Sequence, residues 1–383
     1  MVLQPDLLVI GGGIAGLWSL LRARAAGYSA LLLESSALGG GQTVAAQGII
    51  HGGTKYALGG RLSRAARAIG EMPARWRACL EGRGELDLTR VPLLSPHQYL
   101  WGDGGLTAAL AGFFGSRAMR SRVAPVARGE GPPPFDAPAF RGVLYRLDEP
   151  VLNLPALIAE LARQGEGACG RCPAQALRLS EGRVEADGVI LRPRRLLLAA
   201  GAGNAALLDA LGIDDLPMQR RPLHMVMVRG RLPAVYAHAL GAGRNPRLTI
   251  TSHFDARGET VWYLGGQLAE RGVERTTEEQ LAVARRELEA LLPWMAFDGL
   301  SWAAFRIDRA EAATPDGRRP DDLFFARRGA VMVTWPTKLA FAPRVADRVL
   351  DTLSELEPTG GDARLPLPPP PPAAPPWEEC VWS

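Results

Sequence analysis

The sequence predicts an α/β domain interleaved with an α+β domain whose sheet is mainly antiparallel, and three observations predict it. Between Asp6 and Glu34 a short apolar strand, Leu7-Leu8-Val9-Ile10, runs into the glycine turn Gly11-Gly12-Gly13-Ile14-Ala15-Gly16. A helical run, a second strand (Ala30-Leu31-Leu32-Leu33) and an acid follow. Far downstream, Arg195-Leu196-Leu197-Leu198-Ala199-Ala200-Gly201 repeats the strand-to-glycine pattern. Between them and the C-terminus, His224–Val228, Leu248–Thr251 and Val261–Leu264 alternate or run apolar between Gly, Pro and Asn turns, the pattern of antiparallel strands.

The first segment reads as a Rossmann-like βαβ unit. Gly11, Gly13 and Gly16 allow a tight turn, a bare backbone against a pyrophosphate at the helix N-terminus, and close helix-to-sheet packing. Glu34 stands where a carboxylate would hold ribose hydroxyls. A second glycine cluster, Gly39-Gly40-Gly41-Gln42-Thr43-Val44-Ala45-Ala46-Gln47-Gly48-Ile49-Ile50-His51-Gly52-Gly53-Thr54-Lys55-Tyr56, follows almost at once, and its small residues let backbone approach a large ligand. Thr276 to Leu292 reads as an amphipathic helix, with Thr277-Glu278-Glu279-Gln280 as a cap and Pro293 ending it. From Pro358 the Pro-, Gly- and Ala-rich run, including Pro368 to Pro372, reads as a disordered or polyproline tail.

Taken in order, these motifs resemble FAD oxidoreductases of the D-amino-acid oxidase, glycine oxidase and glycerol-3-phosphate dehydrogenase superfamily. Ile50-His51-Gly52-Gly53-Thr54-Lys55-Tyr56 is most similar to the glycerol-3-phosphate dehydrogenase branch. Trp302-Ala303-Ala304-Phe305-Arg306 is similar to the strand that carries a carboxylate-binding arginine in glycine oxidase-like enzymes. Thr334-Trp335-Pro336-Thr337-Lys338-Leu339 occupies the slot before the last helix, where the family usually has Gly-His-x-x-x-Gly facing the flavin pyrimidine ring; here Pro336-Thr337-Lys338 stands instead. The resemblance implies a glutathione-reductase-type FAD-binding domain and non-covalent FAD. It assigns cofactor contacts to Gly11, Gly13, Ile14, Ala15, Gly16, Glu34, Ser35, Gln42, Thr43, Gln47, Gly48, Ile49, Ala200, Gly201, Thr337, Lys338 and Leu339. The FAD domain is expected over 1–85, 145–215 and 308–358, the substrate domain over 86–144 and 216–307, and the disordered tail over 359–383.

Composition agrees with an ordinary globular enzyme. The chain has 383 residues, 47% hydrophobic and 22% charged, enough for two domains sharing a buried interface. No apolar run reaches the roughly 18 residues needed to cross a bilayer, and the N-terminus enters a strand at once, which points to the cytoplasm. Peripheral membrane contact stays open. The net charge of +4 comes from scattered arginines without interleaved aromatics, which argues for a solvated surface and against nucleic acid. Of Cys79, Cys169, Cys172 and Cys380, the pair Cys169/Cys172 forms a CxxC with no second pair or neighbouring histidine, so no metal site is expected and the two read as incidental thiols.

Candidate chemistry comes from few residues. Among 44 basic residues only Lys55 and Lys338 are lysines, and both fall in the expected flavin loops. Lys338 can stabilise a reduced, anionic flavin by charge, or its stem can simply pack; Lys55 is the weaker candidate. His51 suits a base that takes a hydroxyl or ammonium proton while hydride leaves for flavin N5, or a purely structural donor to backbone. Arg306 suits a carboxylate or phosphate clamp or an interdomain salt bridge. His253, Trp262 and Tyr263 are candidate pocket walls or core. The expectation is a two-electron oxidation of a CH–N or CH–OH bond in a small anionic substrate such as an amino acid, 2-hydroxy acid or glycerol phosphate, with oxygen or another acceptor reoxidising the flavin. A flavin-loaded interaction or membrane-associated protein with little turnover and an NAD-binding dehydrogenase are the alternatives.

Overall fold

The computed structural model describes residues 1–53, 69–102, 123–241 and 246–383. Lys55 lies outside the described residues. Two sheets organise the rest. A six-stranded sheet has the order Phe324–Arg328, Val331–Trp335, Arg195–Leu198, Leu7–Ile10, Ala30–Glu34, Cys169–Arg171, parallel throughout except for the antiparallel first pair. Leu7–Ile10 lies in its middle, and all four of its residues are buried. A strand covered on both faces must be apolar on both, so it reads as a continuous hydrophobic run. The helix Ile14–Ala25 packs on this sheet and on the late helix Ala342–Leu353.

The second sheet has eight strands, in the order Ser301–Ala312, Met218–Gly230, Thr260–Gly265, Leu248–Phe254, Tyr236–Ala239, Gln98–Gly102, Val143–Leu147, Val123–Val126, antiparallel except where Tyr236–Ala239 runs parallel to Gln98–Gly102. The three strands expected from their turn-bounded apolar runs all belong to it. The strands Val143–Leu147 and Ser301–Ala312 lie wholly in this sheet, straddling the divisions expected at 144/145 and 307/308. The helix Thr277–Leu291 presses Ala284 and Leu288 onto one face of the sheet, against a core containing Val226, Ile250, Trp262 and Leu264. Its cap is one residue earlier than expected. The Thr276 side chain accepts from the Glu279 amide, and the Glu279 carboxylate accepts from the Thr276 amide, which completes a capping box. A four-stranded sheet made of Val2–Leu3, Val189–Leu191, Arg183–Ala186 and Leu177–Ser180 flanks the six-stranded one.

The expectation of a disordered tail is corrected. Residues 359–383 follow the surface in an extended path tied down at intervals. The Thr359 amide and hydroxyl donate to the buried Asp6 carboxylate at 2.9 and 2.8 Å. The Arg171 amide donates to the Pro368 carbonyl at 2.7 Å, and the Leu38 amide to the Pro371 carbonyl at 2.8 Å. Trp302 and Ser383 exchange backbone bonds of 3.0 and 2.9 Å. The physical reason is that proline runs lack donors but keep carbonyls, and the edge strand Cys169–Arg171 offers amides that need acceptors. The short helix Pro376–Glu379 then buries Trp377 to 3% exposure against the eight-stranded sheet.

Candidate active site

The glycine turn is shaped by its neighbours. Gly11 has φ of +111°, and a Cβ there would lie 2.6 Å from the backbone of Ala199 and Ala200. A Cβ on Gly16 would lie 1.9 Å from the Gly11 carbonyl oxygen. These glycines therefore let two strand-end turns and the first helix converge. That helix begins at Gly13 with no side-chain cap and no acid in its first turn, while the Ile14 amide donates to Thr43 Oγ1 at 3.1 Å. A helix N-terminus whose N-cap is a glycine and whose first turn carries no acid, facing a cavity, is an anion site and fits a pyrophosphate. Glu34 accepts from the Gly12 amide at 2.7 Å and from the Ser36 amide at 2.9 Å, so it braces the turn and the loop that follows.

A cavity of about 1170 Å³ runs from this turn to the underside of the eight-stranded sheet. That exceeds the roughly 300–1,000 Å³ of ordinary small-ligand clefts, as a dinucleotide plus substrate requires. Gly11, Gly13, Ile14, Ala15, Glu34, Ser35, Gln42, Thr43, Gln47, Gly48, Ile49, His51, Ala200, Gly201, Arg306, Thr337, Lys338 and Leu339 line it; Gly16, His253, Trp262 and Tyr263 do not. The loop after Glu34 is fixed to the far sheet. The Gln47 amide donates to the Tyr263 carbonyl at 2.9 Å, and the Tyr263 hydroxyl donates to the Ala45 carbonyl at 2.6 Å. Gly48 has φ of +74°, and a Cβ there would meet the Leu152 carbonyl oxygen at 2.5 Å. Asn204 ties the second turn to the sheet, accepting from the Ala200 amide at 2.8 Å and donating to the Thr334 carbonyl at 3.1 Å.

At one end of the cavity His51 meets Glu149. His51 Nδ1 lies 3.2 Å from Glu149 Oε2, and the other carboxylate oxygen accepts from the Gly52 amide at 2.8 Å. His238 faces His51 with ring centroids 5.9 Å apart and planes at 20°, and its Nδ1 is 2.7 Å from Thr249 Oγ1. One ligand atom from each of His51, Glu149 and His238 lies within 4.8 Å of the others, a grouping of the kind that can hold a metal ion and that the sequence did not suggest.

Arginines dominate another wall. Arg309 lines the cavity with its guanidinium 3.4 Å from Glu270 Oε1; burial first, then the charges of Arg221 and Arg319, pull its pKa down to about 10. Arg319 donates to the Thr337 carbonyl at 3.0 Å, while its buried Nε has no hydrogen-bond partner among the described residues. Thr337 itself holds φ of +60°, a strained conformation for a β-branched residue. Lys338 is 8% exposed; its ammonium donates to the Asp321 carbonyl at 2.9 Å and sits 4.8 Å from the centre of the Phe341 ring.

Three wall candidates are corrected. Trp262 points to the opposite face of its sheet, where its indole donates to the Pro233 carbonyl at 2.7 Å. Strand alternation decides this: Tyr263, its neighbour, faces the cofactor loop and is fully buried there. His253 is stacked on Trp377 of the tail at 4.4 Å, closed off from the cavity. Arg306 does line the cavity, yet it is exposed and its guanidinium donates to the carbonyls of Val273 and Arg275. Arg309, three residues on in the same strand, also lines the cavity and carried no motif signal. Glu149 and His238 carried no sequence signal, because only the fold brings them to His51.

A parallel sheet with a glycine-turn cradle, joined by one long cavity to an antiparallel sheet, defines a dinucleotide-dependent enzyme. Residues 6–337 match the DAO family, FAD dependent oxidoreductase, and the chain belongs to that family. It is 51% identical to the probable FAD-dependent oxidoreductase PA4991 of Pseudomonas aeruginosa, over 98% of each chain. The crystal structure of that protein superposes with a TM-score of 0.87 at 45% identity, covering 99% of this chain and 98% of the other. Glycine oxidase from Geobacillus kaustophilus has a similar fold (TM-score 0.66, 18% identity, covering 94% and 96%). So does a dithionite-reduced L-alpha-glycerophosphate oxidase from Mycoplasma pneumoniae with FAD bound (TM-score 0.64, 14% identity, covering 94% and 97%). The chain is thus an FAD-dependent oxidoreductase, and neither the NAD-only nor the low-turnover reading is favoured. Among the described residues no helix is long and apolar enough to cross a membrane.

Proposed function

We propose that this enzyme holds FAD non-covalently along the cavity and oxidises a CH–N or CH–OH bond of a small anionic substrate beneath the eight-stranded sheet. The observation that carries the reading is the continuity of one cavity from the Gly11 turn to a pocket bounded by Arg309 and Arg319 and by His51 and His238. The flavin, when bound, supplies an acceptor for two electrons. The first helix's amides and Thr43 would hold the pyrophosphate, Glu34 would brace the ribose end, and the Thr337–Leu339 wall would face the ring.

Arg309 and Arg319 would bind the substrate's carboxylate or phosphate. Two guanidiniums whose charges oppose one another in a buried wall gain most from an anion between them. His51, held with Nδ1 3.2 Å from the Glu149 carboxylate, would take a proton from the substrate. Tyr263 and Gln47 position the loop that carries His51. Oxygen or another acceptor completes the cycle.

The test is anaerobic mixing of the holoenzyme with amino acids, 2-hydroxy acids and glycerol phosphate while the visible flavin bands are followed. Bleaching by a small anion supports the reading. No bleaching by any of them, with FAD bound, removes it.

A further inference from the structure

We infer that the ordered C-terminal segment, residues 359–383, is a strap that holds the cofactor loop 35–48 against the glycine turn and so governs the release of FAD. This rests on the proposed seat of FAD at the Gly11 turn and is independent of the substrate. The loop needs such a restraint. It carries Gly39, Gly40 and Gly41 in succession, with Gly39 and Gly41 at φ of +74° and +60°, and a glycine run loses the most backbone freedom when it is ordered. Its start touches the cradle directly. The Gly39 amide donates to the Gly12 carbonyl at 2.7 Å, and a Cβ on Gly12 would lie 2.6 Å from Leu38 Cδ2. Further along the loop, Thr43 Oγ1 meets the Ile14 amide at the helix N-terminus. Movement of this loop therefore opens the pyrophosphate seat.

The strap grips both ends of the loop. At the start, Leu38 lies beside Pro372; its amide donates to the Pro371 carbonyl at 2.8 Å, and its carbonyl accepts from the Ala373 amide at 2.8 Å. At the far end the grip passes through side chains. Trp377 stacks on His253 with ring centroids 4.4 Å apart and meets the Tyr263 ring edge-on at 6.3 Å. Tyr263 in turn holds the Ala45 carbonyl through its hydroxyl and the Gln47 side chain through its own carbonyl. His253 Nε2 lies 3.2 Å from Thr251 Oγ1, which is itself 3.4 Å from the Gln47 side-chain nitrogen. Trp377 is thus a positioning residue for Ala45, Ala46 and Gln47, which line the cavity. Protection of the edge strand Cys169–Arg171 would be complete at Pro368, whereas the bonds to Leu38 and the insertion of Trp377 lie beyond that edge. FAD seated beneath the loop leaves when the loop lifts, and lifting breaks the two Leu38 bonds or withdraws Tyr263 from Trp377.

The test is the rate of FAD release from the full-length holoenzyme diluted into flavin-free buffer, followed by the fluorescence of free flavin. Trp377→Ala should release FAD at least ~10-fold faster than wild type, and Trp377→Phe, which keeps a ring against His253, should stay within ~3-fold of it. Ala373→Pro deletes the amide that meets the Leu38 carbonyl and should speed release by ~3–10-fold. Leu288→Ala, beneath the helix Thr277–Leu291 on the opposite face of the eight-stranded sheet, separates this from a general loss of stability: it should lower the melting temperature and leave release within ~2-fold of wild type. Wild-type release from Ala373→Pro, or release from Leu288→Ala as fast as from Trp377→Ala, would overturn the strap alone. If Trp377→Ala does not fold, Ala373→Pro decides. Flavin retained in full by Gly11→Val would instead remove the seat of FAD at the turn, and the inference with it.

Discussion

At the scale of single residues, burial and bonding separate groups that face the cavity from groups that support it. Burial and the charges of Arg221 and Arg319 outweigh Arg309's two acidic neighbours, Glu270 and Glu311, so replacing it with Met should weaken an anionic substrate or inert carboxylate by on the order of 10–100-fold. Arg306→Met should change that affinity less than about 3-fold, because its donors already serve two backbone carbonyls. Equilibrium binding read by flavin absorbance compares the two, and a larger loss at Arg306 would reinstate the motif-matched arginine. His253 gives a pH prediction. Burial pushes its pKa down from 6.5 to about 3. The unfolded chain then binds a proton near pH 6.5 that the folded chain refuses until about pH 3. Stability is present above pH 6.5 and is lost as pH falls toward 3, at up to roughly 1.4 kcal/mol per unit. Urea midpoints for wild type and His253→Gln between pH 7 and 4 check this; the variant should lose less on acidification.

Residue-level reading of the sequence worked where backbone alone decides. Gly11 and Gly16 could be read because a turn of that tightness excludes a side chain whatever surrounds it. Glu149 and His238 could not, because nothing local marks a carboxylate that meets a histidine across 98 positions. Trp262 and Tyr263 show the intermediate case. Strand alternation says that neighbours face opposite ways, but the sequence does not say which face is covered by a helix and which by the cofactor loop.

Among elements, the strands and the Thr277–Leu291 helix follow from apolar periodicity and turn residues, while the tail does not. A proline-rich run resembles a solvated linker by composition, and its order comes from accepting hydrogen bonds at the edge strand and from inserting Trp377. Trp377→Ala should therefore cost about 3–5 kcal/mol, as for other buried tryptophans. Removal of the chain after Pro358 should lower the melting temperature further and expose His253. A truncated protein that melts with wild type would contradict the docked tail. Loss of the Thr276 cap is smaller; Thr276→Ala should cost about 1 kcal/mol.

For the whole molecule, the fold places two different sheets on either side of one cavity, so the ligand itself becomes part of the packing. FAD should raise stability by mass action, about 2.7 kcal/mol when free FAD is 100 times its dissociation constant. The most direct measurement is the visible spectrum of the purified protein before and after acid precipitation, made alongside Gly11→Val. The account predicts a two-banded yellow protein whose colour passes to the supernatant, and a colourless variant, because a side chain at Gly11 meets the Ala199–Ala200 backbone. Colour retained by the pellet, or a Gly11→Val protein that keeps its full complement of flavin, would contradict a non-covalent FAD seated on that turn.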